Sequence, residues 1–225
     1  MHEKVKLTKR QIKEDHFTAF MLNSKQQLEE NWQYLAIGAV VVILAIVGIV
    51  YYVNSEKDKA QLAATQMAQA TMQYRQGNSQ VAILSLADIL TKYSGSGYAE
   101  QATFMLGRVN LETRNYEEAK LYFEKYLEQY QDNALNRAAA MAGLGVTLEN
   151  QANYAEAAEM FAKAATDYPE SAILPDLHFG AMRNYLLAGQ KDKAKEQFDI
   201  ISAKFPGTEL AVNAARLFFE KSQNS

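Results

Sequence analysis

The sequence contains no cysteine, and proline and glycine are both scarce, with 3 prolines and 11 glycines in 225 residues. Without cysteine the chain has no disulfide framework, no thiol nucleophile and no cysteine-based zinc site. Average usage would give roughly 11 prolines and 16 glycines in this length. The shortage therefore disfavours an all-β sandwich, a barrel or a Pro/Gly-rich disordered chain, and it favours long helices. The net charge of −3 gives no reason to expect a nucleic-acid partner.

One stretch, residues 34–53, has no charged residue and reads YLAIGAVVVILAIVGIVYYV. As a helix it would be about 30 Å long, which matches the hydrocarbon thickness of a bilayer. Twelve of its residues are Leu, Ile or Val, and aromatic residues stand at both ends, as is typical of a transmembrane helix. The alternative of a buried core helix is disfavoured because the run is apolar on every face. We predict a single uncleaved transmembrane helix, since 33 residues precede the run and no small-residue cleavage site follows it.

The first 33 residues carry six Lys or Arg against five acidic residues. Because positive charge in short segments stays preferentially in the cytoplasm, this small excess predicts a cytoplasmic tail at 1–33 and a C-terminal region on the far side of the membrane. Residues 8–11 and 24–27 have the spacing of helix capping boxes. We interpret the tail as a short amphipathic helix at the headgroups, with a docking helix for a membrane partner as the alternative. Residues 24–76 contain no proline, so one continuous helix is expected to leave the membrane.

From residue 60 onward the sequence repeats itself four times. The marker is an alanine that recurs at intervals of 37, 38 and 37 residues, followed four residues later by Leu or Phe and eleven residues later by an aromatic residue. These alanines are Ala82, Ala119, Ala157 and Ala194. A turn-like dipeptide such as Gly-Asn or Asn-Tyr precedes each one. Marks held in register over four copies predict stacked helix pairs, because a single pair cannot bury its own apolar face.

Polar residues and prolines indicate where these helices begin and end. Asn115 and Asn153 stand at helix starts, and a glutamate follows each of them three residues later. We therefore expect both asparagine side chains to cap a helix N-terminus. Pro169 and Pro206 are predicted to end helices, because proline cannot donate to the helical hydrogen-bond ladder. Pro175 fits the first turn of the next helix.

The segments NYEEAKLYFEKYLEQY and NYAEAAEMFAKAATDYP resemble second helices of tetratricopeptide (TPR) repeats. The small residue expected twelve positions before the alanine is present as Ala70, Gly107 and Gly145, whereas the fourth copy has Met182. The spacing of 37–38 residues exceeds the usual value of about 34, as in TPR proteins of the bacterial envelope. The resemblance covers about 60–210 and implies repeats at about 60–96, 98–133, 134–171 and 172–208, closed by a capping helix at 209–222.

The order of tail, single span and TPR array resembles the family of ancillary subunits of the bacterial Sec translocon. The fold class expected from all these features is all-α. It consists of an N-terminal single transmembrane helix followed by a TPR-type α-solenoid of about four helix pairs, within residues 54–225, plus the C-terminal capping helix.

Candidates for chemistry are few in this sequence. The three histidines lie far apart and no Gly-x-Ser-x-Gly turn exists, so neither a His metal site nor a serine triad is indicated. His178 stands where TPR repeats place a packing residue, and we assign it a structural role. Gly143 and Gly145 resemble half a phosphate loop, but the third glycine and the Lys-Ser/Thr pair are missing. We interpret these two glycines as positions that let helices pack closely. For the protein as a whole we predict no enzyme activity, no cofactor, no metal site and no small-molecule substrate.

The TPR resemblance implies that the first helix of each pair lines a concave groove that binds protein segments. An aromatic residue beside an arginine recurs there in the second and fourth repeats, and this composition is typical of binding hot spots. The alternative is that the phenylalanines only pack between repeats. The groove positions implied are Gln101, Phe104, Arg108, Leu111, Ala142, Val146, Glu149, Asp176, Phe179, Arg183 and Leu186.

The function expected from these features is that of a membrane-anchored protein–protein interaction scaffold. By the family resemblance it would sit in the bacterial inner membrane with a periplasmic TPR domain and assist secretion or the handover of clients by periplasmic chaperones. The expected partners are the translocon, periplasmic chaperones or secreted chains. Two alternatives stay open: an envelope-assembly or cell-division scaffold, and a cytosol-facing TPR receptor on an organelle.

Overall fold

The computed structural model describes the backbone of residues 9–223 and the side chains of residues 32–34 and 36–221. Every regular element in this part of the chain is an α-helix. The chain divides into two compact units, residues 1–58 and 59–225, which are described separately. The first helix, α1 (Lys9–Arg75), is continuous, as expected for residues 24–76. The side chains of the predicted amphipathic tail lie outside the described set.

Within α1, the segment Trp32–Arg75 is long and apolar enough, by length and composition, to cross a membrane. In the most apolar stretch of 18 residues within this segment, no residue is buried. Its Leu, Ile and Val side chains are exposed from Ile37 to Val53. None of the described residues therefore buries the apolar side chains between Ile37 and Val53.

The second unit consists of short helices that pack in consecutive order. The end of α1 contributes Met67 and Ala70 to a core that it shares with the next two helices. After α1 the helices are α2 (Ser79–Lys92), α3 (Gly97–Glu112), α4 (Tyr116–Gln129), α5 (Ala134–Asn150), α6 (Tyr154–Asp167), α7 (Leu174–Leu187), α8 (Lys191–Lys204) and α9 (Glu209–Gln223). Each helix packs on the next from α2 to α9, and among the first helices α3 packs on α5 and α5 packs on α7. This is the stacked-pair arrangement that the sequence period predicts.

The four repeated alanines occupy matching places in the second helices. Each is the fourth residue of its helix, at Ala82 in α2, Ala119 in α4, Ala157 in α6 and Ala194 in α8, and each is 0% exposed. Each alanine N–H donates to the carbonyl of the residue just before its helix, over 2.9–3.0 Å. The alignment of the repeats predicted from the sequence is therefore confirmed.

The turn inside each pair also repeats, with a left-handed residue just before the second helix. The φ angles are 82° at Gly77, 63° at Arg114, 61° at Ala152 and 73° at Gly189. A left-handed backbone places Cβ near a carbonyl oxygen, so it suits glycine and costs other residues about 1 kcal/mol. The second and third turns bear this cost, since Arg114 and Ala152 adopt the same left-handed conformation as the glycines of the other two turns.

Glycines of the first helices accommodate phenylalanine rings of the second helices. A Cβ added at Gly107 would stand 2.8 Å from Phe123 Cδ1, and one at Gly143 would stand 2.7 Å from Phe123 Cε2. In the next pair, Gly145 and Gly180 enclose the ring of Phe161 in the same way, each with a closest approach of 2.8 Å. The interpretation of Gly143 and Gly145 as packing positions is confirmed.

The predicted helix ends are correct in position, but the predicted asparagine caps are wrong. Asn115 and Asn153 occupy the N-cap positions of α4 and α6, yet neither side chain accepts a hydrogen bond from its helix. Their ψ angles of 69° and 58° depart from the extended conformation that directs a capping side chain at the helix. Asn133, with φ −104° and ψ 90°, does cap α5 by accepting from the Asn136 N–H.

The prolines lie where the sequence predicted them. Pro169 and Pro206 follow the ends of α6 and α8 within two residues, and Pro175 lies in the first turn of α7. Proline lacks the N–H donor that a helix interior needs but a first turn does not. These positions are therefore compatible with a helix end or a helix start, and they lie at the boundaries between helix pairs.

Candidate protein-binding groove

The eleven predicted groove residues all lie on the first helices α3, α5 and α7, at positions that repeat. Phe104, Ala142 and Phe179 are equivalent to one another, since they are 38 and 37 residues apart. Within each helix these positions are spaced three or four residues apart and therefore share one helix face. Gln101, Arg108 and Asp176 are exposed, and the other eight are half-buried. We call this set of eleven residues the first-helix face.

In the second repeat the aromatic residue of the first-helix face is part of a ring cluster. The Phe104 ring meets Phe123 edge-on at a centroid distance of 6.2 Å and Tyr126 at 5.5 Å. Tyr126 is fully buried and donates its hydroxyl to Glu100 Oε1 over 2.6 Å, and burial raises its pKa strongly. Phe104 thus packs within its own pair while part of its surface stays accessible.

The arginine of the second repeat is exposed and weakly held. Arg108 Nη2 lies 3.8 Å from Glu112 Oε1, and both side chains are about half exposed. Glu112 also accepts a hydrogen bond from the Tyr74 hydroxyl of α1. An exposed pair of this kind contributes at most about 0.5 kcal/mol, so Arg108 is available to another carboxylate.

The arginine of the fourth repeat is tied to the third repeat. Arg183 Nη2 donates to Glu149 Oε2 over 2.6 Å, and the side chains are 35% and 20% exposed. The same oxygen accepts from Asn184 Nδ2 over 2.9 Å, and Asn184 is fully buried. The Arg183 guanidinium also lies 5.7 Å from the centre of the Phe179 ring. The structure therefore brings three of the predicted residues together as a bridge between α5 and α7.

Two polar atoms of this bridge have no hydrogen-bond partner among the described residues. They are Arg183 Nε, a donor, and Asn184 Oδ1, an acceptor, and both atoms are buried. A buried polar atom without a partner costs about 1–3 kcal/mol. Nothing in the sequence pattern indicated this site, because Asn184 reads as one more polar residue in an amphipathic helix.

The structure also contains a pocket of about 430 Å³ that sequence reasoning missed. It lies between α4 and α6, and Leu144 and Leu148 of α5 line it with Met160. Lys120, Glu124, Glu156, Glu159 and Lys163 form its charged surroundings. Between the next two second helices, α6 and α8, Lys193 Nζ forms a salt bridge with Glu159 Oε1 over 2.6 Å. The same nitrogen lies 5.3 Å from the centre of the Tyr185 ring. No local sequence motif indicates that a pocket lies between α4 and α6 whereas a salt bridge joins α6 and α8.

His178 has the structural setting that the sequence predicted. It is 8% exposed, and its Nδ1–H donates to Gln197 Oε1 over 2.8 Å. Burial lowers its pKa, an effect opposed by the hydrogen bond to Gln197. Among the residues that the structure describes, no group of three or more His, Asp or Glu side chains is placed to hold a metal ion.

Several solved structures have the same fold. A tetratricopeptide repeat protein from Parabacteroides merdae ATCC 43184 matches with a TM-score of 0.63 and 13% identity, over 73% of this chain and 61% of that protein. YrrB, a TPR protein with an unusual peptide-binding site, matches with a TM-score of 0.51 and 18% identity, over 71% of this chain and 86% of its own. MamA AMB-1 matches with a TM-score of 0.51 and 16% identity, over 72% of this chain and 93% of its own.

At such low identity these likenesses show the fold alone, and the chain spans less than two thirds of the Parabacteroides protein. A comparison with curated proteins finds no significant match. A family model for the tetratricopeptide repeat-like domain matches residues 25–199. Proteins of this fold are generally protein-binding scaffolds without catalytic activity, and nothing in the part of the chain that the structure describes indicates catalysis. Because the matched residues make up well over half of the sequence, the chain belongs to the tetratricopeptide repeat-like domain family.

Proposed function

We propose that this protein is a scaffold anchored in the bacterial inner membrane, which binds protein partners through the first-helix face of a periplasmic TPR array. In this proposal residues 1–33 form a cytoplasmic tail, 34–53 span the membrane and 54–225 hold the array. The work of the array is to keep secreted chains or periplasmic chaperones near the translocon. The observation that carries the proposal is the combination, in one chain, of an exposed uncharged span and a protein-binding repeat fold.

The anchor is supported by what the span exposes. Twelve Leu, Ile and Val residues lie within 34–53, and their described side chains are exposed in the folded chain. On the membrane-insertion scale each contributes about −0.3 to −0.6 kcal/mol, with no charged residue to oppose them. The excess of one basic residue over acidic residues in 1–33 supports a cytoplasmic tail.

The binding surface is supported by the chemistry of the first-helix face. Phe104 and Phe179 offer accessible aromatic surface, and Arg108 is an exposed cation whose carboxylate partner, Glu112, lies 3.8 Å away. Aromatic residues beside an arginine are enriched among the residues that dominate binding energy. Because the anchor confines the array to the membrane, weak contacts suffice to hold a partner that is itself at the membrane.

A protease-accessibility experiment tests the topology. In spheroplasts, protease added from outside is expected to digest the TPR array and to leave a tag on the N-terminal tail intact. Digestion of the tag with protection of the array would refute the orientation and favour an array that faces the cytosol.

A matched pair of charge reversals tests the first-helix face. Arg108→Glu is expected to weaken recovery of translocon or chaperone partners about tenfold in a quantitative pull-down, because it reverses the exposed cation. The control is Lys92→Glu, which breaks a similar exposed pair with Asp88 on a second helix. Equal recovery from both variants would remove the first-helix face from the proposal, and recovery of cell-wall enzymes alone would favour an envelope-assembly scaffold.

A further inference from the structure

The last helix, α9, leaves one side exposed although that side carries apolar residues. Val212 is 64% exposed, and the half-buried Ala215 follows it. Phe219 is 55% exposed, although its ring also meets Phe198 of α8 edge-on at a centroid distance of 5.8 Å. These residues are spaced three and four apart and therefore share one helix face. We call Val212, Ala215 and Phe219 the open face of α9. The opposite side of the helix is anchored in the core through Ala214, which is 0% exposed.

Helix α9 occupies the place of a first helix in a further pair. Ala214 follows the helix-ending Phe205 by nine residues, as Leu177 of α7 follows Tyr168. Leu177 is also 0% exposed, and α9 packs on α7 and α8 as α7 packs on α5 and α6. The alignment at this interval of 37 residues assigns each residue of the open face an equivalent in the earlier pairs.

In the earlier pairs the second helix of the same pair covers these positions. Gly107 and Gly145, the equivalents of Phe219, lie against the Phe123 and Phe161 rings, as described above. His178, the equivalent of Ala215, bonds Gln197 of α8. Glu100, the equivalent of Val212, accepts the hydroxyl of Tyr126 from α4. The chain itself thus shows three times what kind of element belongs on this face, namely an amphipathic helix.

We propose that the open face of α9 binds an amphipathic helix of a partner protein, which completes a fifth helix pair. The internal pairs define the chemistry of this helix. Its fourth residue is alanine, as in α4, α6 and α8. Its eighth residue, where α4 and α6 carry Phe123 and Phe161, is small, because Phe219 replaces the glycine that receives those rings. Phe219 is also bulkier than Met182, its equivalent in the fourth pair, where α8 still carries Phe198. Its eleventh residue is apolar and covers Val212.

Charge complementarity adds a fourth requirement. Lys193, the third residue of α8, bonds Glu159, the sixth residue of α6, over 2.6 Å. Glu196 is the sixth residue of α8 and is exposed. A helix that continues the layer of second helices places its own third residue beside Glu196. The incoming helix therefore carries Lys or Arg at that position.

The helix α8 supplies a probe that meets all four requirements after one change. A peptide of residues 191–204 with Phe198→Ala has Lys193 third, Ala194 fourth, alanine eighth and Ile201 eleventh. Isolated peptides of this length are marginally helical, so the probe is stapled on its outward face and labelled with fluorescein. Its binding is measured by fluorescence anisotropy against the full-length chain in lipid nanodiscs.

The proposal predicts saturable binding that Val212→Glu weakens at least about tenfold, because the carboxylate would be buried under the helix. The control Asn213→Glu introduces the same residue on another side of α9 and is expected to leave binding unchanged. The peptide that keeps Phe198 is expected to bind about tenfold more weakly, since Phe219 leaves no room for a second ring. Lys193→Glu in the peptide is expected to cost roughly threefold, and Glu196→Lys in the chain is expected to restore it.

Absence of binding, or binding that Val212→Glu does not weaken, would overturn the proposal. A full-length chain that is dimeric, and that Val212→Glu turns into a monomer, would show that a second copy occupies the face and would also overturn it. Arg108→Glu, the variant of the first-helix face, is expected to leave probe binding unchanged. Loss of probe binding in that variant would place the peptide on the first-helix face, which refutes this inference without refuting the proposed function.

Discussion

The interlock between Phe123 and two glycines yields the most quantitative prediction of the structure. Phe123 is 1% exposed, and its ring lies between Gly107 of α3 and Gly143 of α5. In Gly143→Ala the new methyl would stand 2.7 Å from Phe123 Cε2, well inside the ordinary contact distance of about 3.4–4 Å. The ring has little room to retreat, because it already packs against the Gly107 backbone on its other side, so closely that a Cβ there would stand 2.8 Å from Cδ1. The substitution therefore forces α5 away from α4.

The expected loss follows from two opposing effects. Overpacking of a close-packed core costs about 1–3 kcal/mol, and a ring held on both sides puts this case near 3. Alanine in place of glycine in a helix interior returns about 1 kcal/mol. The net destabilisation is therefore about 2 kcal/mol. In urea this lowers the unfolding midpoint by about 1 M, for a slope near 2 kcal/mol per molar.

The assay is urea unfolding of the full-length chain in detergent micelles, followed by far-UV circular dichroism. The matched control is Gly97→Ala at the start of α3, where an added Cβ meets no atom within 4 Å, and its midpoint is expected to stay or to rise. Combining Gly143→Ala with Phe123→Leu should recover about 1 kcal/mol or more relative to the sum of the single changes, because a smaller side chain relieves the clash. Strict additivity of the two changes, or a Gly143→Ala variant as stable as Gly97→Ala, would refute the interlock.

Three further predictions concern the turns, the α5–α7 bridge and the buried histidine. Ala152→Gly should stabilise the array by about 1 kcal/mol, since φ is 61° there. Ala162→Gly in the interior of α6 should instead destabilise it by a similar amount or more in the same urea titration. Arg183→Ala should cost about 1–3 kcal/mol, because it removes the cationic partner of the half-buried Glu149 carboxylate and leaves it only the Asn184 amide as a donor, whereas Lys193→Ala at an exposed pair should cost less than about 1 kcal/mol. Burial lowers the pKa of His178 below its ordinary 6.5, so the unfolded chain binds the proton more readily and stability should fall as the pH drops from about 7 to 5. Thermal melting of His178→Asn should show a weaker decline over this interval, and an equal decline would contradict the assignment.

The sequence predicted the repeat architecture well because its signals are local. An alanine stands at a fixed place in each second helix, and an aromatic residue follows the end of each second helix. Both recur in every copy at nearly the same interval, so their spacing is visible in the sequence. Gly143 could be assigned a packing role for the same reason, since a glycine inside a helix costs stability unless a neighbour needs its space.

The features that the sequence did not predict depend on how one helix pair stacks on the next. Whether Arg183 is available to a partner depends on Glu149, which lies 34 residues away on another first helix. The pocket between α4 and α6 and the open face of α9 arise in the same way, since neither follows from the pattern of a single helix. The failed caps at Asn115 and Asn153 have a local cause, because residue type indicates a helix start but does not fix the backbone angles that direct the side chain.

The central claim is that the first-helix face contacts protein partners while the array is tethered to the membrane. The direct measurement is site-specific photocrosslinking in intact cells, with a photoreactive amino acid at Gln101 or Asp176, both exposed on that face. The control position is Glu128, which is exposed on the second helix α4. We predict discrete crosslinked partners from Gln101 and Asp176 that are absent from Glu128 and are lost in the Arg108→Glu background. Equal crosslinking from all three positions, or none from the first-helix face, would contradict the claim.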